Sequence, residues 1–586
     1  MPMELPPFLE AAATQLAGAG AAEKIIGYMR PAESIMQGPL MGAMKASRVS
    51  FAYVLARRMI DERWRIALET CEADANGQGR LVYRISARGI DFTYIARAYE
   101  WDGKEKVGRR SDGANRDMFG ALFVGTPDAA RIEREFATFD LKNVETMRTD
   151  AMVLGWTPAN RSARIFDHVV DALVAGHQPE PGLIGSASAY LLRNGGFQGS
   201  GRNGSISYQG IAADHPLCHP FFADLFGLYM VRQVSIDLVN AIARARNPRA
   251  AQLSEEVARY LAVGNSSGQG MCVALQRWPH WVSTWLTVRE AALAYAKSMP
   301  VDAASRERLV SLVARVAAYC DTVQVQSEDY VVPNKVIAAN LRTIVGWLDG
   351  SRTFSLWNDL AQAASAFDAE TQEQLNSALI DLYPDVSDHF ADYLVIGAAR
   401  ERGVVAEMTV GELRGLLRKN YAWALRYDTL LSKTRQHFWY HSVDNGEQRR
   451  GERVLDPGEE YESFVDHIGI VQRLACVVAS YADDELVGEL MFAHPDLEMA
   501  VSRVQYLDGL PYAEIRDNLI HKDFVPAQLI RFFLASLGIE CSTPLSIRYV
   551  RGVFFQGVPL PAEIAEGTTR DWRYPAEPAT QTEMLS

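Results

Sequence analysis

The sequence predicts a predominantly α-helical protein with an N-terminal antiparallel β-sheet, which is an α+β fold overall. Apolar and polar residues alternate in four short segments between residues 64 and 124, as they do in half-buried strands. From Thr126 onward, apolar residues recur at helical spacing almost without a break. The 586 residues are 48% hydrophobic and 22% charged, a balance typical of folded globular proteins, so we expect little disorder.

Two helices are predicted before the sheet, over residues 8–30 and 43–63. The strands that follow are separated by the turn signals Asn76-Gly77, Arg88-Gly89 and Asp102-Gly103. Because short connections join antiparallel neighbours, these strands should form one sheet. The predicted strands are residues 64–70, 81–86, 92–99 and 118–124.

Helix signals dominate the remainder of the chain. Thr126 and Pro127 are typical of a helix start. Residues 221–245 are apolar around most of the helix, so this helix should be buried. Residues 190–193 are also interpreted as helical, and Gly264 as the glycine that ends a helix over 254–263. Further helices are predicted at 162–177, 279–296, 303–319, 334–349, 355–367, 370–382, 386–401, 410–435, 461–481, 483–493, 496–506 and 526–537.

These patterns predict three parts of the chain. Residues 1–150 form an α+β domain with a four-stranded antiparallel sheet, and residues 151–556 form a large helical domain that carries the functional site. A strand-like segment, 545–556, either joins the early sheet or pairs with itself around Gly552. Residues 557–586 are rich in Pro, Glu, Thr and Ala, which predicts a mobile C-terminal tail.

Charge and cysteine usage exclude several classes of protein. The net charge of −13 and the scattered basic residues disfavour nucleic-acid binding. The six cysteines contain no CxxC pair, which indicates free thiols in a reducing compartment. The start of the sequence lacks a basic signal-peptide region, and no run reaches the roughly 18 apolar residues of a membrane span. We therefore expect a cytoplasmic protein without a membrane partner, and the apolar helices weakly favour a homo-oligomer.

The first glycine-rich loop, Arg193–Tyr208, is interpreted as a substrate loop. A loop of about 16 residues without secondary structure is uncommon in a compact domain unless it binds something. Arg193 and Arg202 can hold a carboxylate or a phosphate through paired N–H donors. The expected hydrogen-bonding side chains of this loop are Asn194, Asn203, Ser205, Ser207 and Tyr208.

The same loop contains Gly199-Ser-Gly201-Arg-Asn-Gly204, which fits the GxGxxG pattern of dinucleotide sites. That fingerprint requires a strand before it and a helix opening at the third glycine. Residues 190–193 are interpreted as helix instead, and Ser205 stands where a phosphate loop needs lysine. A nucleotide site is therefore disfavoured, and an ordinary surface loop is the main alternative to a substrate loop.

The second glycine-rich loop, Gly264–Met271, predicts an anion site. Gly264 and a cap at Asn265 or Ser266 explain half of the pattern, but they leave Gly268 and Gly270 unexplained. Free N–H groups at a helix start would suit an anion, with Asn265, Ser266, Ser267 and Gln269 as its side-chain ligands. The loop also matches GxSxG, but Ser266 as a nucleophile needs a preceding strand, and residues 254–263 are interpreted as helix.

His215 is the predicted acid–base residue, with Asp214 to orient it and Tyr208 as a further catalytic side chain. His215 and His219 have metal-ligand spacing, but Pro216 interrupts any helix between them, so we predict no metal. The structural alternative is a turn at a helix start, in which Asp214 is the cap and His219 is partly buried.

A third polar cluster, residues 437–450, contains aromatic residues, His441 and Arg449, and Arg449 is assigned to the substrate pocket. The alternative is a solvated turn at Asn445-Gly446.

We expect a cofactor-independent enzyme of lyase or hydrolase type that acts on a small anionic or carbonyl-bearing metabolite by acid–base chemistry. In this interpretation the two glycine loops and Arg449 meet in one pocket. The alternatives are a helical interaction or scaffold protein without catalysis, and a flavin or haem protein that lacks a readable motif.

Overall fold

The protein folds around one ten-stranded mixed sheet with helices packed against it. The computed structural model describes residues 10, 13–14, 21–35, 37–100, 116–141, 152–186, 189–194, 211–212, 214–219, 221–266, 279–322, 331–350, 352–399, 404–426, 439–442, 447–450, 457–458, 467–506, 508, 512, 526–545, 550–568 and 572. The α+β class predicted from the sequence is confirmed.

The elements are numbered in chain order. The strands are β1 Arg65–Ala73, β2 Gly79–Ala87, β3 Ile90–Ala98, β4 Met118–Val124, β5 Val153–Trp156, β6 Ala159–Arg161, β7 Tyr190–Asn194, β8 Ala262–Ser266, β9 Trp439–Ser442, β10 Glu447–Arg450, β11 Glu540–Leu545 and β12 Val550–Phe554. The helices before β9 are α1 Ala21–Tyr28, α2 Ala32–Ile35, α3 Gly38–Ala43, α4 Phe51–Asp61, α5 Ala129–Asp140, α6 Phe166–Val174, α7 Pro181–Ser186, α8 Phe222–Arg246, α9 Glu255–Tyr260, α10 Pro279–Ser298, α11 Ala303–Thr322, α12 Asn334–Asp349, α13 Trp357–Ala364, α14 Ala369–Leu382, α15 Pro384–Ala399, α16 Val410–Asn420 and α17 Ala422–Leu425. The later helices are α18 His467–Val478, α19 Val487–Ala493, α20 Glu498–Tyr506, α21 Pro526–Leu537 and α22 Pro561–Glu566.

The four predicted N-terminal strands are present as β1 to β4, and consecutive strands pair antiparallel. Tyr94 of β3 lies opposite Tyr83 of β2 and Leu122 of β4, and all three side chains are buried. The other face of β3 and β4 is buried as well, because Ile95, Phe119 and Phe123 form a second apolar cluster with Phe136 of α5.

The sheet continues beyond the predicted domain boundary at residue 150. Its strand order is β1-β2-β3-β4-β6-β7-β8-β12-β11, and β5 pairs with β4. The two C-terminal strands combine both predicted possibilities, because β11 pairs with β12 and β12 joins β8. Whether residues 1–150 fold independently stays a prediction, but their sheet is shared with the following part of the chain.

Two segments predicted as helix are strands, and this is the main correction to the secondary structure. Tyr190, Leu191 and Leu192 belong to β7 and are almost fully buried. A strand buried on both faces has a continuous apolar run, which periodicity cannot distinguish from a buried helix. The predicted helix 254–263 ends at Tyr260, and Gly264 lies inside β8 instead of ending a helix.

Gly264 has a packing reason in that strand. A Cβ atom at this position would lie 2.8 Å from Cδ2 of the Tyr190 ring on the neighbouring strand β7. Glycine is therefore required because the aromatic ring covers the backbone, and no turn is involved.

Helix α8 is buried as predicted, and it runs through the middle of the core. It is the one helix among the described residues with the length and composition to cross a membrane, yet 78% of its most apolar stretch is buried inside the protein. Arg232 in this helix is fully buried and donates hydrogen bonds to the carbonyls of Leu261, Arg259 and Val558. Those contacts fix the helix to the start of β8.

A separate apolar core lies in the helical unit formed by α16 to α20. Helices α16 and α19 begin with the same four residues, Val-Gly-Glu-Leu, and their N-terminal backbones pair reciprocally. Val410 N donates to Glu485 O at 2.8 Å, and Val487 N donates to Met408 O at 2.9 Å. The two helix starts are thus related by an approximate two-fold axis.

The described residues of the predicted C-terminal tail include a helix and a buried tryptophan, and the mobility of the tail stays a prediction. Pro561–Glu566 form helix α22, and Glu563 forms an ion pair with Arg259. Trp572 is 5% exposed, and its ring stacks on Tyr53 with centroids 5.1 Å apart. Composition suggested mobility, but an aromatic anchor and a capped helix are enough to fix a polar segment.

Candidate functional site

The structure brings four of the predicted site residues together at one edge of the sheet. Strands β7 and β8 are parallel neighbours, with Arg193 opposite Gly264 and Asn194 opposite Asn265. Ser266 is the last residue of β8. The two glycine-rich segments therefore leave the sheet from the carboxyl ends of adjacent parallel strands.

Most of the remaining loop residues lie outside the described part of the chain. This applies to the predicted ligands and catalytic side chain Arg202, Asn203, Ser205, Ser207, Tyr208, Ser267 and Gln269. Their assignment stays a prediction. Arg449 lies in β10, opposite Tyr440 of β9, in a two-stranded sheet that is separate from the main one.

His215 is buried and its ring nitrogens contact backbone groups, whereas the predicted acid–base role requires a ring that can reach a substrate. Its Nδ1 accepts a hydrogen bond from Leu217 N at 3.2 Å, and its Nε2 lies 3.3 Å from Ala87 O. The side chain caps a short 3-10 helix and is 3% exposed. Burial lowers the pKa of His215, although the Ala87 carbonyl opposes that shift. The ring is held as a neutral imidazole that donates to Ala87 O.

Asp214 does not orient His215. Its carboxylate is exposed, and its Oδ2 lies 3.9 Å from Nη2 of Arg88. His219 is partly buried, as the structural alternative expected, and burial together with the charge of Arg58 lowers its pKa to about 3. The segment therefore resembles the helix-start turn considered from the sequence, except that His215 and not Asp214 supplies the cap.

A pocket that sequence reasoning missed lies where β11 meets helices α3, α11, α12, α14 and α21. Six separate segments of the chain contribute to it. Its lining residues are Met44, Lys45, Ala46, Tyr319, Cys320, Val331, Val332, Asn334, Glu370, Gln374, Arg531, Ile539, Glu540 and Cys541. Apolar and charged side chains both line the pocket, and its volume is about 40 Å³, which is room for only a few ligand atoms.

Glu370 is the carboxylate that binds both cations of the pocket. Its two carboxylate oxygens accept from Nη1 and Nη2 of Arg531 at 2.6 and 2.7 Å, and Lys45 contacts the same carboxylate. Burial alone would raise the pKa of Glu370, but Arg531 and Lys45 outweigh it and lower that pKa to about 2. Glu370 also lies in the first turn of α14, where the helix dipole favours a negative charge.

Glu540 has the opposite electrostatic behaviour. Burial raises its pKa to about 7, although the charges of Lys45 and Arg531 oppose the shift. Among the residues that the structure describes, its carboxyl group makes no hydrogen bond. Two carboxyl groups in one pocket thus have separated pKa values, which is a common property of acid–base sites.

The two cysteines of the pocket are poor nucleophiles. Burial raises the pKa of the Cys320 thiol to about 12, and burial also raises the pKa of Cys541. Since the thiolate is the reactive form, neither side chain is activated.

The charges of the pocket favour an anionic ligand. Lys45 and Arg531 supply two positive charges, Glu370 supplies one negative charge, and Glu540 is neutral below about pH 7. The start of helix α12 also lies at the pocket, and helix N-termini attract anions. A carboxyl group that titrates near neutrality beside a fixed cation can transfer a proton to or from a bound substrate.

Metal ligation has no support in the part of the chain that the structure describes. Within those residues, no group of three His, Cys, Asp or Glu side chains is placed to hold an ion. No sequence pattern indicates the pocket, because its charged residues are separated by up to several hundred positions and match no local motif.

No protein-family model, no curated protein and no solved structure matches this chain, so its function has to be inferred from the chemistry of these two regions.

Proposed function

We propose that this protein is an enzyme that transfers a proton to or from a small anionic, carbonyl-bearing substrate in the pocket beside β11. Glu540 is the proton-transferring group, and Lys45 is the cation that holds the substrate anion or stabilises developing negative charge. Lyase-type chemistry, in which a proton leaves the carbon next to a carbonyl group, fits these groups best.

The observation that carries the proposal is the contrast between the two carboxyl groups. Glu370 is held as an anion by two cations, whereas Glu540 has no hydrogen-bond partner among the described residues and a pKa of about 7. A general acid or base works best when its pKa is close to the working pH. The fixed ion pair keeps Lys45 and Arg531 in place while Glu540 changes its protonation.

Arg531 acts in this proposal through Glu370 and not directly on the substrate. Both of its terminal nitrogens are hydrogen-bonded to that carboxylate. Lys45 forms one contact with Glu370 and is 13% exposed, so its ammonium group retains donors for a ligand. We therefore expect changes at Lys45 to affect substrate binding and changes at Glu540 to affect turnover.

The direct test is exchange of substrate protons in D2O, followed by proton NMR. Purified protein is incubated with small 2-oxo acids and dicarboxylic acids, and loss of the signal next to the carbonyl group reports proton abstraction. For a substrate found in this way, Glu540→Gln should lower the exchange rate about 10²- to 10⁴-fold, the usual contribution of a general base. Lys45→Met should mainly raise the KM.

The pH profile provides an independent criterion. Exchange by the wild-type protein should increase through an apparent pKa of about 7, because the Glu540 carboxylate is the active base. Glu133→Gln is a matched control, since that carboxylate lies on the surface beside Arg80 and away from the pocket. Equal exchange rates in wild type and Glu540→Gln would contradict the proposal.

A further inference from the structure

Helix α19 exposes apolar side chains on one face. Phe492 is 91% exposed, and Leu486, the residue before the helix, is 42% exposed. Glu489 and Ala493 are exposed as well. Because an α-helix turns about 100° per residue, these four positions share roughly a third of its circumference. The helix buries its other side in the core of the helical unit, so these four residues form an outward surface, which we call the α19 face.

The two-fold relation between the helix starts shows that the fold does not require an aromatic residue on this face. Val410 of α16 corresponds to Val487 of α19, so Gly415 corresponds to Phe492. Gly415 is exposed, and a Cβ atom there would meet nothing within 4 Å. The leucine of the repeated sequence, by contrast, is fully buried in both helices. Phe492 therefore adds apolar surface at a position that the other half of the unit leaves bare.

Acidic residues surround the α19 face. Residues 481–499 contain six acidic residues and no lysine or arginine. Asp483 and Asp496 form ion pairs with arginines of helices α16 and α18. The exposed acidic residues of this stretch that form no ion pair in the described part of the chain are Asp484, Glu489 and Glu498. An apolar surface with a negative surround is the result.

This charge distribution selects among the possible occupants of the face. A second copy of the chain bound through the same face would bring two acidic surfaces together, because a two-fold interface uses the same patch on both subunits. An anionic membrane and a nucleic acid are repelled for the same reason. A protein segment that carries lysine or arginine beside apolar side chains complements the face in both charge and polarity.

We propose that the α19 face binds a basic, amphipathic segment of a partner protein, with Phe492 packed among the apolar side chains of that segment. Glu489 lies one helical turn before Phe492 on the same face, so a lysine or arginine of the partner can pair with it. The face is separate from the pocket beside β11, which takes no lining residue from helices α16 to α20. The inference does not depend on proton transfer by Glu540.

The test uses the full-length protein and a random peptide library displayed on phage as the probe. The library is selected on immobilised wild-type protein, enriched peptides are synthesised with a fluorescent label, and their dissociation constants are measured by fluorescence anisotropy. We expect the enriched peptides to carry a net positive charge and apolar side chains. Phe492→Ala should weaken their binding about tenfold or more, as the loss of an aromatic anchor residue does.

A charge variant tests the electrostatic part of the proposal. Glu489→Gln should weaken peptide binding roughly two- to fivefold, the range for an exposed ion pair, and added salt should weaken binding to the wild-type protein. Leu141→Ala is the matched control, because Leu141 is 70% exposed at the end of α5, outside the helical unit. This control should bind the peptides as the wild-type protein does.

Thermal unfolding separates a binding role of Phe492 from a structural one. Because its side chain is exposed, Phe492→Ala should melt at the wild-type temperature or slightly above it. A large drop in the melting temperature would show that Phe492 packs within the chain, and it would overturn the proposal.

Three binding results would also overturn the proposal. One is a selection that enriches no peptide, and another is a set of peptides that bind wild type and Phe492→Ala equally well. The third is a wild-type dimer in analytical ultracentrifugation that Phe492→Ala abolishes, since the α19 face would then be an interface between two copies of the chain.

Discussion

The carboxyl edge of β7 and β8 and the pocket beside β11 are built in opposite ways. The edge takes its residues from two short stretches, Arg193–Asn194 and Gly264–Ser266, that the sheet places side by side. The pocket takes one to three residues from each of six segments, and its central contact joins Glu370 to Arg531, 161 positions apart. The comparison teaches that a site with a local pattern can be found in a sequence, whereas a site made by tertiary packing cannot.

The largest loss of stability is expected from replacing Glu370, the carboxylate that Lys45 and Arg531 share. Glu370→Ala leaves Lys45 and Arg531 close together without their shared counter-charge, so we expect a loss of about 3–5 kcal/mol in the free energy of unfolding. Urea unfolding measures it. Glu133→Ala removes one exposed partner of Arg80 and should cost less than about 1 kcal/mol. Equal losses in the two variants would show that the buried contact in the pocket stabilises the protein no more than a surface ion pair does.

The second largest effect is the change in the free energy of unfolding with pH that Glu540 causes. Its pKa rises from 4.5 to about 7 on folding, so the folded state favours the protonated acid. Below pH 4.5 the group is neutral in both states, and as pH rises toward 7 the wild-type protein loses stability because only the unfolded chain ionises freely. The loss is at most about 3 kcal/mol, from 1.36 kcal/mol per unit.

Glu540→Gln removes this titration. Relative to wild type, the variant should therefore gain stability between pH 4.5 and pH 8, and the difference should be level above about pH 8. Urea unfolding of both proteins across this range measures the difference, in which all other titrations cancel. A difference independent of pH would mean that the Glu540 carboxyl is not desolvated.

The third effect is the loss of stability expected when the contact between Gly264 and Tyr190 is disturbed, and it tests the pairing of β7 with β8. Gly264→Ala places a methyl group against the Tyr190 ring, which should cost about 1–3 kcal/mol as overpacking does. Adding Tyr190→Ala should cost less in this background than in wild type, because removal of the ring also relieves the clash with the added methyl group. Strictly additive losses in the double variant would place the two residues apart and argue against the β7–β8 pairing.

The smallest effect is expected at His215. His215→Ala removes the cap at Leu217 and the contact with Ala87, so it should cost about 1 kcal/mol of stability. Proton exchange by the folded variant should match wild type if Glu540 is the base. A large loss of exchange with unchanged stability would return His215 to the catalytic role predicted from the sequence.

The sequence predicted an element accurately where its apolar residues show a clear period, and missed it where they do not. Helix α12 was predicted with its observed bounds, 334–349, because an amphipathic surface helix has a strong period and clear ends. Strands β1 to β4 were found because glycine-containing turn signals separate strand-like segments in the sequence. Strand β7 was missed because Tyr190, Leu191 and Leu192 form a continuous apolar run. Strand β8 was missed because its short sequence, Ala-Val-Gly-Asn-Ser, shows no alternation and closely follows helix α9.

The two candidate sites also differ in whether the sequence could reveal their residues. Arg193, Asn194, Asn265 and Ser266 were selected from composition, and the structure places them at one edge. Lys45, Glu370, Arg531 and Glu540 have no local signature, because an isolated charged residue in a helix or strand usually lies on the surface. Only the packed structure shows that three of these four side chains share one buried contact.

The pairing of β8 with β12 has a consequence for biosynthesis. Val263 pairs with Phe554, so the ribosome must add roughly 290 further residues before β8 acquires its second neighbour, β12, which takes about 15–60 s at usual elongation rates. During that interval the nascent chain carries an open, apolar strand edge of the kind that promotes aggregation. Truncations that end before residue 540 should therefore depend on chaperones or precipitate, whereas the 586-residue chain supplies β12 to cover that edge.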